Sequence, residues 1–183
     1  MSKLKEQTIK SHFLKKEEMK KKRKEKGIYT GAIVLGLNDA LVELTGALAG
    51  LTLALQESKT IAITGFIVGC AAALSMAVSE YLSAKEELRQ NKKKNPLKSS
   101  IYTGITYITT VLILILPYFI LSNVYLALSL MLLESILIIF FYTFHISTIK
   151  GISPWKKFRE MVILSLSVAF ISFIIGWLVK DFR

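Results

Sequence analysis

Two carboxylates stand where a carboxylate is costly. The stretch from Gly27 to Leu55, GIYTGAIVLGLNDALVELTGALAGLTLAL, carries Asp39 and Glu43 near its middle. About 20 apolar residues cross the ~30 Å of a bilayer's hydrocarbon as a helix. A charge at that depth costs roughly 2.5–3.5 kcal/mol even on the lenient insertion scale, so such residues face a protein interior or a water-filled path. Ala32, Gly36, Asp39, Glu43, Gly46 and Gly50 follow at intervals of three and four residues, which on a helix makes them one seam. Glycine, alanine and carboxylate on one seam suit close approach to another helix, with the acids meeting in the gap.

A second apolar stretch repeats the device. Gly65, Gly69, Ala72, Met76 and Glu80 share a face, the last two within ALSMAVSEYLSAKEE. At 1.5 Å per residue, Asp39 lies roughly 16 Å and Met76 roughly 12 Å from the same side, so an antiparallel hairpin brings them to similar depth. Glu80 lies a turn nearer that side and Glu43 a turn farther, while Glu86 and Glu87 stand at its rim. Carboxylate oxygens take divalent cations generally, and a thioether favours softer ions such as iron(II) over magnesium or calcium. Burial raises a carboxyl pKa and a bound cation lowers it, so the same acids can exchange metal for protons. Asp39, Glu43, Met76 and Glu80 are therefore the candidate metal ligands. Each chain supplies only two to four of them, and a two-fold dimer pairing the seams would double the set.

The structural readings stand beside this. A lone methionine in a membrane helix is usually packing, and Asp39 with Glu43 fits a buried hydrogen-bond pair or a basic partner. No lysine or arginine lies within any span, so the acids have no evident internal counter-ion. Glu134, alone in MLLESILIIF, fits a proton relay or one end of an interhelical bond equally well. Cys70 lies among alanine and glycine as a packing residue, and a single cysteine excludes an intrachain disulfide and a cysteine-cluster metal site. No nucleophile–base constellation, phosphate loop or nucleotide motif is present, which argues against an enzyme, and no permanently bound cofactor is expected.

The elements that must position these residues are five apolar spans, about 28–55, 60–84, 99–121, 125–147 and 160–179. The expected fold is an all-α integral membrane protein, with a basic cytoplasmic arm at 1–26 and a five-helix transmembrane domain at 27–183. The first 26 residues lack the apolar core of a cleavable signal peptide. QESKT forces a hairpin between the first two spans, and Pro117 should kink the third. Of 24 lysines and arginines, 21 fall in the N-terminal arm and in the second and fourth loops. The positive-inside rule then puts the N-terminus in the cytoplasm and, after five crossings, the C-terminus outside or in a lumen. The net charge of +11 suits anionic headgroups at that face rather than nucleic acid. The arm reads as a solvated helix or tail near lipid, with Glu17, Glu18 and Glu25 as a lesser alternative for metal capture. Tyr142, His145, Trp155 and Trp177 read as interfacial anchors.

GLNDALVELTGALAGLT and ALSMAVSEYLSAKEE resemble the vacuolar iron transporter family, and the five-span layout extends the resemblance from about Gly27 to the C-terminus. The resemblance implies a homodimer with five helices per chain and a pore at the dimer interface lined by the first two. It also implies a metal path through an aspartate of the first helix and a methionine of the second, positions held by Asp39 and Met76. Better-known members carry a glutamate-rich cytoplasmic metal-binding domain between the second and third helices, where this chain has only KEELRQNKKKNPLK. Glu86 and Glu87 are the reduced capture site left there. The expected function is export of Fe2+ or Mn2+ as transported substrate, with protons as counter-ion. The expected membrane is the plasma membrane of a prokaryote or a vacuolar-type membrane otherwise. The rival is a non-transporting dimeric scaffold or sensor whose basic arm binds lipid or a partner.

Overall fold

Apolar runs bounded by proline and cap residues set the helix limits of the computed structural model. It describes residues 2–89, 94–151 and 153–180, with side chains for 29–89, 94–148, 151 and 153–180. Five helices follow in order: α1 (Ser2–Leu55), α2 (Ser58–Arg89), α3 (Pro96–Ile120), α4 (Val124–Lys150) and α5 (Pro154–Val179). All five are long and apolar enough to cross a membrane, α1 over Tyr29–Leu55. Expectations resting on the side chains of Glu17, Glu18 and Glu25, and on Lys92 and Lys93, lie outside the described residues.

The helix ends extend beyond the expected spans for local reasons. Pro154 occupies the first turn of α5, where a missing N–H costs nothing, so the helix starts six residues ahead of 160 and takes in Trp155 and both following lysines. α2 runs through Glu86 and Glu87 to Arg89. Asn95 caps α3 by accepting from Lys98 N, and Asn123 caps α4 by accepting from Tyr125 N and Leu126 N. Gly151, at φ 65°, closes α4 in the left-handed conformation that glycine adopts without strain. Only Gln56, at φ 54°, and Glu57 separate α1 from α2. Pro117 lies in the last turn of a continuous α3, one turn from where that helix stops.

α1 is the centre of the bundle and packs against all four other helices, most extensively α5, while α2 packs chiefly on α3. The glycines of α1 decide these approaches. A Cβ at Gly36 would strike the Thr103 carbonyl of α3, one at Gly46 would meet Val168 Cγ1 at 2.7 Å, and one at Gly50 would meet Ser172 O at 2.8 Å. The small-residue seam does face neighbouring helices, as its composition requires, but they are α3 and α5 of the same chain. Gly65 and Gly69 of α2 likewise sit against Leu48 and Val111. Outside the bundle, Leu74, Ile120, Phe141 and Phe170 are among the most exposed side chains, the inverse of a water-soluble surface.

At the α1–α5 crossing a Cβ on Gly176 would meet the backbone carbonyl of Gly50. Gly176→Ala is therefore expected to lower stability by about 1–3 kcal/mol, read as a lower thermal midpoint of the purified protein. Gly31→Ala, where a Cβ meets nothing within 4 Å, should stay within about 1 kcal/mol of the parent.

Candidate intramembrane metal site

The polar groups of α1 and α2 are met by a stripe on α3. Ser99, Thr103, Tyr107 and Thr110 lie three or four residues apart and all are buried. On an apolar helix such a stripe must find partners inside the protein, because an unpaired polar group in hydrocarbon costs several kcal/mol (roughly). Thr103 Oγ1 donates to Ala32 O at 3.1 Å, and Tyr107 Oη donates to Glu43 Oε2 at 2.8 Å. Ser100 Oγ donates to Ala77 O at 2.6 Å, and Ser99 Oγ donates to Glu80 Oε1.

The four candidate ligands occupy two different settings. Asp39 is half-buried on α1 and Glu43, one turn on, is exposed on the single chain. Both lie within electrostatic reach of the Tyr107 ring hydroxyl. Among the described residues neither has an ion-pair partner. Met76 is partly buried and packs against the apolar core. Glu80, by contrast, is only 5% exposed, and Lys94 Nζ stands 2.5 Å from its Oε1. The expectation that the acids lack a counter-ion fails for Glu80, because its cation comes from outside the spans. Lys94 reaches in from the segment just ahead of α3.

Among the described residues no three histidine, cysteine, aspartate or glutamate side chains gather as a metal site. What a single chain offers is an open α1 face with two acids, and a thioether on α2. Of the rim acids, exposed Glu86 pairs with Arg89 at 3.2 Å, and Glu87 is half-buried. Among the described residues, Glu134 Oε2, Asn38 Oδ1 and Thr45 Oγ1 are buried with no hydrogen-bond partner. Tyr142 accepts from Lys157 Nζ at 3.4 Å, whereas His145, Trp155 and Trp177 are exposed.

Tyr107, Ser99 and Lys94 are the partners that single-span reasoning misses. The signal for the first two was present, since hydroxyl residues recur on one face of an otherwise apolar helix. Lys94 carried none, being one lysine in a run of three.

Five long apolar helices, with ionisable groups held inside the bundle, define the class as a multi-pass integral membrane protein. The chain belongs to the VIT family, whose profile matches residues 30–94 and 84–177, and which comprises membrane transporters of metal ions. This agrees with the vacuolar iron transporter resemblance carried by the two motifs. No curated protein matches the chain closely enough to count as a relative.

Removing the Tyr107 hydroxyl takes from Glu43 the donor it has among the described residues. Tyr107→Phe is expected to cost about 0.5–1.5 kcal/mol, or up to ~3 kcal/mol for a charged acceptor, measured as a lower thermal midpoint. The loss should shrink when Glu43→Gln is already present.

Proposed function

We propose that the chain exports Fe2+ or Mn2+ from the cytoplasm in exchange for protons, along a path where α1 and α2 of two copies face each other. The observation that carries this reading is the placement of Glu43. At 1.5 Å per residue it lies about 18–21 Å from either end of the α1 span, and on the single chain it is exposed. A carboxylate at that depth does not face lipid. Water in a path and a second copy of the same face together meet that need.

The rest of the α1 face supports a covered path. Ala47, Gly50, Leu51 and Ala54 continue beyond Glu43 into a groove completed by Val68 of α2 and by Ser172, Ile175 and Gly176 of α5. The small residues Ala47, Gly50, Ala54 and Gly176 there leave room for a facing apolar helix. Asp39 and Glu43 supply hard oxygen ligands and Met76 a soft one, the combination that favours a transition metal over magnesium. Family membership supports metal-ion transport, and the lysine and arginine bias supports a cytoplasmic N-terminus. The linker after α2 holds no acidic domain, so capture falls to the rim and to the α1 face itself.

The test is flux into sealed proteoliposomes with the inside pH followed, Fe2+ supplied anaerobically and Mg2+ as control ion. Saturable Fe2+ movement with opposite proton flow, absent for Mg2+, is expected. Asp39→Asn and Met76→Ala should each lower that flux at least about tenfold, with Gly31→Ala unaffected. A normally folded Asp39→Ala protein moving metal at the parent rate would sink the assignment. No flux from intact dimers would favour the scaffold or sensor.

A further inference from the structure

The Glu80–Lys94 pair is hard to explain as a folding device. Both charges are largely withdrawn from solvent, the side chains being 6% and 16% exposed. The desolvation of such a pair commonly cancels its attraction, and apolar side chains of similar size do as well or better. Its location is also specific. Glu80 lies one turn from Met76 on α2, on the side of the bundle that carries the basic linker.

Lys94 is held where it can leave. It precedes Asn95, whose side chain caps α3 through Lys98 N at 3.2 Å, and Pro96 fixes the first turn. The start of α3 therefore does not depend on the lysine. The Asn95 N–H also donates to Tyr29 Oη at 3.3 Å, and the Tyr29 ring packs on Tyr102 with centroids 5.3 Å apart. The backbone carrying Lys94 is thus tied to α1 while its ammonium is tied to α2. An ammonium is a monovalent point charge with three donors on a flexible stem, which a divalent ion outcompetes once other ligands assist it.

We propose that Lys94 is a resident cation that occupies the Glu80 carboxylate in the metal-free protein, and that a divalent ion arriving at this side displaces it. Glu80 is then a ligand available only after exchange of one cation for another, and Ser99 holds the carboxylate in place during the exchange. The inference rests on the transport reading but predicts something that reading does not. Metal should bind more tightly when the lysine charge is removed, and should expose the lysine when it binds.

The experiment uses the full chain purified in detergent, with Mn2+ alone as the probe and free Mn2+ followed by electron paramagnetic resonance. Lys94→Gln is expected to tighten Mn2+ binding by at least about fivefold, Lys94→Arg to stay near the parent, and the gain to vanish in Lys94→Gln combined with Glu80→Gln. On the unmodified protein, acylation of Lys94 by an amine-reactive reagent, read by mass spectrometry, should rise several-fold at saturating Mn2+. The second measurement stands even where Lys94→Gln does not fold. Unchanged Mn2+ affinity in Lys94→Gln, or unchanged Lys94 labelling at saturating Mn2+, overturns the displacement. Fe2+ and Mn2+ flux by the unmodified protein in liposomes decides the transport reading separately, so each can fail while the other stands. A protein that binds no Mn2+ with or without Lys94 overturns the displacement.

Discussion

A carboxylate inside hydrocarbon needs a donor, a cation or water, and the helix that answers this need is α3. Its hydroxyls reach α1 through Tyr107 and Thr103 and α2 through Ser99 and Ser100. The lysine ahead of it supplies the one counter-ion found for an intramembrane acid among the described residues. α1 and α2 are neighbours in sequence, yet their polar groups are satisfied mainly through this third helix. The glycines at positions 36 and 69 let α3 come close enough to do so.

The acids consequently differ in what they can do. Glu80 is enclosed and neutralised, so in this arrangement it attracts little. Asp39 and Glu43 are repelled by one another across a helical turn, and among the described residues Tyr107 alone donates to the latter. The open acids and the closed one lie on different helices, at different depths. The neutralised carboxylate is the one nearer the basic linker, and the Asp39–Glu43 pair lies farther from it.

Much of the fold was legible because membrane helices announce themselves by length and hydropathy, and five of them appear where five were expected. Their ends were less so, since Pro154 starts α5 inside a stretch whose lysines and tryptophan read as loop. The α1 seam was legible as a close-packing surface from its glycines alone. Which helix it would meet was not, because three- and four-residue spacing encodes a face and not a neighbour. The acids and Met76 were visible from their cost in hydrocarbon. Lys94 was invisible, since nothing local distinguishes a lysine that turns inward from the two before it.

The two ends of the bundle are tied differently. At the α1–α2 turn, Ser58 Oγ donates to the Tyr118 and Leu121 carbonyls at 3.0 and 2.6 Å, and the Thr52 and Tyr118 hydroxyls share a bond of 2.8 Å. These neutral bonds tie the root of a two-residue hairpin to the end of α3, so any opening of α1 from α2 would turn about that end. Asp39 and Met76 each lie 17 or 18 residues from it, a lever arm of about 26 Å. Opening α1 from α2 by about 5° about this pivot changes the separation of carboxylate and thioether by about 2 Å, given a helix rise of 1.5 Å per residue. Metal–oxygen bonds are confined to about 2.0–2.6 Å, so under the proposed metal assignment a tilt that small would make or dissolve the contact of both groups with one ion.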